Sequence, residues 1–268
     1  ITHDGQEIYY IRHVPEESGT TYYGRELQHT TPMICLSRWK DTSFSAGTPL
    51  PEPFNTHTSE GGITITADGK HCYLSASTKN RNGYNNFDLY HSQLIGGIWQ
   101  PFENLGTPIN NDRSWDAQPS ISADGQHLYF ASNRPGGLGG TDIWHCHRLP
   151  NGDWSRPANM GSTINTAGNE KCPFIHADGH TLYFASDGWQ GFGGYDMYFI
   201  NLDDPTTEQP SNLGLPINGE GDDICLGVTA NGATAYYAGR HPVRGLGGAD
   251  ILSFDLYPAA RPESMTSR

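Results

Sequence analysis

No apolar run in this chain approaches the roughly 18 residues that span a bilayer, and no signal peptide opens it at Ile1. The chain therefore reads as soluble, with no direct membrane insertion of its own, and as one domain excised from a longer protein. Basic residues are scarce: 16 Lys and Arg stand against 29 Asp and Glu, a formal charge of −13. That balance works against broad contact with a phosphate backbone and excludes nucleic acid as a partner class. The five cysteines form no Cys-x-x-Cys pair, and no His spacing of the zinc type is present. No metal and no cofactor is expected. Helical periodicity is absent throughout. A serine-hydrolase elbow, a phosphate loop and a dinucleotide fingerprint are missing too, since the Gly-rich runs precede strands, whereas nucleotide motifs open helices.

What the chain does have is a repeat. Asp4, Asp68, Asp124, Asp178 and Asn231 are each followed by glycine, at intervals of 64, 56, 54 and 53 residues. Asp88, Asp142, Asp196 and Asp250 keep a spacing of 54, and Asn55, Asn110, Asn165 and Asn218 follow the same beat. Three markers drifting together indicate copies of one supersecondary unit, and there are five copies, of which only the first is stretched. The 33 glycines and 18 prolines fall at turn positions of the repeat and do not form disordered tracts.

In the third copy, residues 119–122 alternate, Ala123-Asp124-Gly125 turns, and residues 127–132 are rich in strand formers. Glycine supplies the positive φ of a tight hairpin turn. A Gly-rich loop, a third strand from Asp142, a turn at Pro150-Asn151-Gly152 and a last strand near 153–157 complete a four-stranded antiparallel meander. Repeated side by side with a connector to the next inner strand, this unit is a propeller blade. The expected fold is all-β: a five-bladed β-propeller in a single domain over 1–268, with blades at about 1–56, 57–111, 112–166, 167–219 and 220–263. The inner strand of the first blade is nearly absent, which leaves two routes to closure. The strand precedes Ile1, or the tail 257–263 completes the ring.

The meander places the Asp-Gly turns on a trimmed face, and the second-turn loops and connectors on a decorated face. Function follows the longer loops. Lys79, Arg81, Arg134, Trp189, Arg240 and Arg244 lie in those loops and are the expected partner-binding residues, because Arg and Trp are the commonest interface anchors. The recurrent Asp88, Asp142, Asp196 and Asp250 are expected to be structural, accepting hydrogen bonds from loop amides. Catalysis needs an asymmetric site, so no catalytic residue is expected among them. Glu60, Asp116, Glu170 and Asp223 each stand eight residues before the turn residue and are expected at a mouth of the central channel, solvated or bonded to connector amides. Cys172 and Cys225, two residues on, are expected to line the channel as free thiols. Cys72 and Cys146 are expected to be buried. His145 and His147 share a strand face and read, like the other histidines, as ordinary surface or core residues.

These residues carry a resemblance. Ala177-Asp178-Gly179, Leu182-Tyr183-Phe184-Ala185-Ser186, Gly193-Gly194-Tyr195-Asp196-Met197 and Asn212-Leu213-Gly214-Leu215-Pro216-Ile217-Asn218 are similar to the WD40-like repeat of TolB-type propellers. The Asn-Leu-Gly-x-Pro-Ile-Asn form resembles the propeller of OmpA-family outer-membrane proteins of bacteria with type IX secretion. The resemblance implies a non-enzymatic module that binds envelope proteins or peptides in the periplasm, in association with the outer membrane. Peptidoglycan would be bound only by domains outside this chain. The alternatives are a glycan-active five-bladed enzyme using two channel carboxylates, and a receptor for a peptide or small ligand at the channel mouth, marked by Trp115.

Overall fold

A computed structural model describes residues 1–15, 20–22, 25–27, 30–56, 59–79, 85–239 and 250–262. The described chain is a five-bladed β-propeller of antiparallel sheets, and its only helical segment among these residues is the short 3-10 turn Pro258–Ala260. Blade 3 shows the unit most clearly: Asp116–Ile121, His127–Ser132, Asp142–His147 and Ala158–Asn159 pair in that order. Glu170–Ile175, Thr181–Ser186, Asp196–Asn201 and Ser211–Asn212 repeat it in blade 4. In blade 2 (Glu60–Ile65, His71–Lys79, Asn85–Ile95) the outer strand is split into Ile98–Trp99 and Glu103–Asn104. The outer strand of blade 3 is interrupted in the same way. It touches first at Trp154, within the expected stretch, and then at Ala158 and Asn159, just beyond its end.

The Asp-Gly turns form for the expected reason. Gly125 sits at φ 71° while Asp124 Oδ1 accepts the amide of Gln126 at 3.0 Å. Asp68, Asp178 and Asn231 do the same for Lys70, His180 and Ala233. The connectors are locked by the asparagine series. Asn165 Oδ1 accepts from the Ile143 amide at 2.7 Å and its Nδ2 donates to the Ile143 carbonyl at 2.9 Å. Asn55, Asn110 and Asn218 clamp Ile34, Leu89 and Met197 identically. One side chain thus supplies both bonds that a neighbouring strand would have made to the third strand, so the chain leaves the sheet without orphaning buried backbone groups.

The core lies in the seams between blades. Tyr73 and Leu89 of blade 2 pack with Leu128, Phe130 and Trp144 of blade 3, and Tyr129 and Ile143 of blade 3 pack with Leu182 and Phe184 of blade 4. Full burial of each such side chain contributes about 1.5–3 kcal/mol.

Blade 1 consists of Glu7–Pro15, Thr30–Lys40, Ser43–Phe44 and Thr48–Pro49, and Thr20–Tyr22 with Arg25–Leu27 forms a separate hairpin within its insertion. Its inner position is held by Ile1 and Thr2: the Thr2 amide donates to the Glu7 carbonyl at 2.8 Å, matching Ser122 to His127 and Thr229 to Thr234. Blade 5, with Ile224–Val228, Thr234–Gly239 and Asp250–Asp255, meets blade 1 through an edge-on contact of Tyr236 with Phe44 at 5.6 Å. The tail packs elsewhere. Leu256 and Ala260 are buried against blades 4 and 5, and the Tyr183 hydroxyl donates to the Ala260 carbonyl at 2.6 Å.

Candidate interaction faces and the plugged axis

On the decorated face two of the recurrent aspartates, Asp142 and Asp196, accept hydrogen bonds from the amides of their second-turn loops. Asp142 Oδ2 accepts the Leu138 amide at 2.6 Å and Asn159 Nδ2 at 3.0 Å, while Oδ1 accepts the Gly139 amide at 3.2 Å. Asp196 accepts the amides of Phe192 and Gly193 at 2.8 and 3.3 Å, and Asp88 accepts from Asn104. Asp250 opens a strand, but its side chain lies outside the described residues. The glycines beside these residues are required by close approach. A Cβ on Gly139 would meet the Gly168 carbonyl oxygen at 2.3 Å, and one on Gly193 the Gly219 oxygen at 2.4 Å.

The expected anchors are placed differently. Arg134 is 8% exposed and turned inward. Its Nη2 donates to Asp116 Oδ1 at 2.7 Å and to the Ile109 carbonyl, its Nε donates to Ser132 Oγ at 3.0 Å, and its guanidinium lies over Phe130 and Trp144. The loop bends directly after Ser132, which aims this arginine beneath the loop and away from solvent. Trp189 is half-buried for a similar reason, with its indole N–H donating to the Ile164 carbonyl at 2.9 Å. Both side chains tie their loop to the preceding connector, so neither is a free surface anchor. Arg81, Arg240, Arg244 and the side chain of Lys79 lie outside the described residues.

The loops present two large apolar side chains beside polar ones such as Asn133, Asp187 and Gln190. Leu138 and Phe192, at equivalent places in Gly-x-Gly-Gly, are 51% and 50% exposed. Their signal in the sequence is a large apolar residue between glycines, where no core position exists. Leu246 repeats it in the fifth copy.

Three of the channel acids, Glu60, Asp116 and Glu170, are buried, and connector amides or hydroxyls bond to Asp116, Glu170 and Asp223. Asp116 Oδ2 accepts the Asn111 amide at 2.9 Å, and Oδ1 takes Ser132 Oγ together with Arg134. Glu170 is fully buried and accepts the Thr166 amide, Thr166 Oγ1 and Ser186 Oγ at 2.7–2.9 Å. Burial pushes its carboxyl above the usual range against the pull of those bonds. Asp223, partly exposed, accepts the Gly219 amide at 2.7 Å. Burial, with the charges of Asp196 and Asp222 nearby, pushes it up as well. Glu60 is buried. Among the described residues no three His, Cys, Asp or Glu side chains already converge on a metal position.

Two residues beyond these acids the inner strands shift register, and Gln118, Cys172 and Cys225 take positive φ values of 55°, 48° and 61°. This turns the side chains onto the axis. Cys172 and Cys225 come to a Cα separation of 5.0 Å and are joined as a disulfide, which corrects the expectation of free thiols. The left-handed kink brings neighbouring strands within the reach of a disulfide. Gln118 Oε1 accepts the Cys172 amide at 3.0 Å, and a Cβ on Gly62 would meet Gln118 Cα at 2.9 Å. Gly62, Gln118, Cys172 and Cys225 thus link the inner strands of blades 2 to 5 at this level. Cys35, Cys72 and Cys146 are free and buried. At the trimmed end a cavity of 60 Å³ remains on the axis, walled in part by Ile1, Ile65, Ile121, Ile175 and Val228, and a shallow cleft of about 290 Å³ lies between blades 1 and 2.

No helix among the described residues is long and apolar enough to cross a membrane. The architecture defines the class: a five-bladed β-propeller with clamped connectors and caged loops. Its fold is of the TolB type. The chain is similar to TolB from Acinetobacter baumannii, with 18% identity over 94% of this chain and 50% of that one, at a TM-score of 0.51. It thus spans about half the length of that chain. The tricorn protease (11% identity, 83% and 23% coverage, TM-score 0.49) and an α-L-arabinofuranosidase from Lactobacillus brevis (17%, 70% and 69%, 0.42) superpose less well. No protein-family model and no curated protein matches the chain.

Proposed function

We propose that the chain is a non-enzymatic propeller that docks proteins or peptides of the cell envelope on its decorated face. The observation that carries this reading is the pair of exposed apolar tips, Leu138 and Phe192, whose backbone amides are held by Asp142 and Asp196. Preordered apolar anchors lose little entropy on binding. The burial of Asp116 and Glu170 supports the non-enzymatic reading, because a glycan-cleaving pair must reach its substrate. A disulfide between Cys172 and Cys225 suits an oxidising compartment such as the periplasm. The finest form of the proposal is a propeller of the PorE kind, in an OmpA-family component of type IX secretion associated with the outer membrane. Peptidoglycan contact is then left to domains beyond this chain.

The test is capture from native envelope extract, comparing the wild-type domain with the Leu138→Asp/Phe192→Asp variant as bait. The variant is expected to lose the specifically captured band at an unchanged melting temperature. Equal capture by both baits would sink the assignment of this face.

A further inference from the structure

The same pair of histidines recurs at the trimmed end of two neighbouring blades. In blade 2, His71 Nδ1 and His91 Nε2 are 3.0 Å apart; in blade 3, His127 Nδ1 and His145 Nε2 are 2.9 Å apart. Each pair is a diagonal contact across antiparallel strands, because His91 is opposite Tyr73 and His145 is opposite Tyr129. Beyond the pair, the two seams diverge. In the first, Arg148 reaches across from blade 3, donating to the Tyr73 hydroxyl at 2.9 Å and lying over Trp154 at 4.1 Å, which fixes a cation beside His91. In the second, the place of Arg148 is taken by Leu202, packed into the apolar cluster under Tyr129, and Asp203 brings a negative charge. Opposite His71 stands Gln93, whereas opposite His127 stands a third imidazole, His147.

We propose that His127, His145 and His147 form a binding site for a divalent transition-metal ion of the imidazole-preferring kind, zinc or copper, at the trimmed end of blade 3. His145 and His147 are two apart on one strand and share a face, and His127 is paired directly with His147. Two nitrogens that each lie about 2.1 Å from a zinc ion stand about 3.0–3.4 Å apart. The 2.9 Å contact between His127 and His145 therefore opens by a few tenths of an ångström when the ion replaces the proton they share. The ring of His147 is centred 6.3 Å from His145 and 6.5 Å from His127, so the three do not converge until His147 turns toward the pair, and because it is exposed that turn displaces no core group. Imidazole suits zinc and copper, whereas calcium and magnesium prefer oxygen ligands. With three protein ligands, a fourth position stays open to water or to a ligand from a partner. The net charge of −13 favours accumulation of cations at the surface.

The test uses disulfide-intact protein, stripped with a chelator and titrated with zinc chloride or copper chloride by calorimetry near neutral pH. One equivalent is expected to bind, and His127→Gln and His147→Gln are each expected to weaken binding about tenfold or more. His71→Gln, which breaks only the blade 2 pair, should leave affinity unchanged. His147→Gln should melt like wild type without metal and lose the metal-induced rise in melting temperature. Absence of saturable binding, or wild-type affinity in either the His127→Gln or the His147→Gln variant, overturns the proposal.

Discussion

Blades 3 and 4 pair their first three strands in the same register, yet they solve the same problems with different chemistry. Each buries an acid at the entry to its inner strand and binds it with the serine that ends the second strand. In blade 3 the acid is the shorter Asp116, and Arg134 fills the remaining space with a buried ion pair at 2.7 Å. In blade 4 it is the longer Glu170, which reaches Thr166 unaided and needs no cation. At the axis, Gln118 of blade 3 corresponds to Cys172 of blade 4, a hydrogen bond in one place and half a disulfide in the other. At the trimmed turn, Ser122 of blade 3 corresponds to His176 of blade 4, which is buried and bonded to the Thr229 carbonyl of blade 5 at 3.0 Å. A repeat conserves the demand for a partner, and the identity of the partner is free to vary.

The strongest test of that contrast is Arg134→Ala. It strands a buried carboxylate, and loss of one partner of a buried pair costs about 3–5 kcal/mol. A denaturant midpoint that stays put would show that Asp116 is satisfied without the arginine. The double change Asp116→Asn/Arg134→Met, which removes both charges and, like blade 4, dispenses with a cation, should recover most of the loss.

Next in size is the disulfide. Cys172→Ala/Cys225→Ala should lower stability by about 2–4 kcal/mol, read as a shift in urea midpoint, whereas Gln118→Ala should cost far less. Equal losses would mean that the axis is held by packing alone.

The smallest effect concerns pH. Burial pushes Asp178 up, but bonds from His176 and from the amides of Thr181 and His180 outweigh it and hold the carboxyl well below its usual range. A depressed folded-state value contributes stability that is fully present above the unfolded pKa, about 4, and is lost as pH falls through the folded value. Asp178→Asn should therefore flatten the acid limb of the stability curve below about pH 4. An unaltered acid limb in urea melts at successive pH values would place the acid sensitivity elsewhere.

These contrasts also explain what could be read from residues alone. The Asp-Gly turns, the caging aspartates and the asparagine clamps answer backbone demands that every blade shares, so repetition exposes them. The acids were legible as partners of the connector for the same reason. The inward aim of Arg134 was not, because it depends on where the loop bends after Ser132. The joining of Cys172 to Cys225 was not legible either. Their matching positions in neighbouring blades were legible, but the joining follows from a left-handed kink at residues of no special propensity, which also leaves Gly62 without room for a side chain beside Gln118. Leu138 and Phe192 are not legible as anchors because an apolar residue in the sequence is first assigned to the core, and only the loop geometry turns these two outward.

The bond between Cys172 and Cys225 closes a covalent loop across 53 residues that contains most of blade 4 and the whole connector to blade 5. A protease that nicks an exposed turn anywhere within it cannot release a fragment. The cut protein keeps its mass on a non-reducing gel and separates into two pieces only when thiol is added.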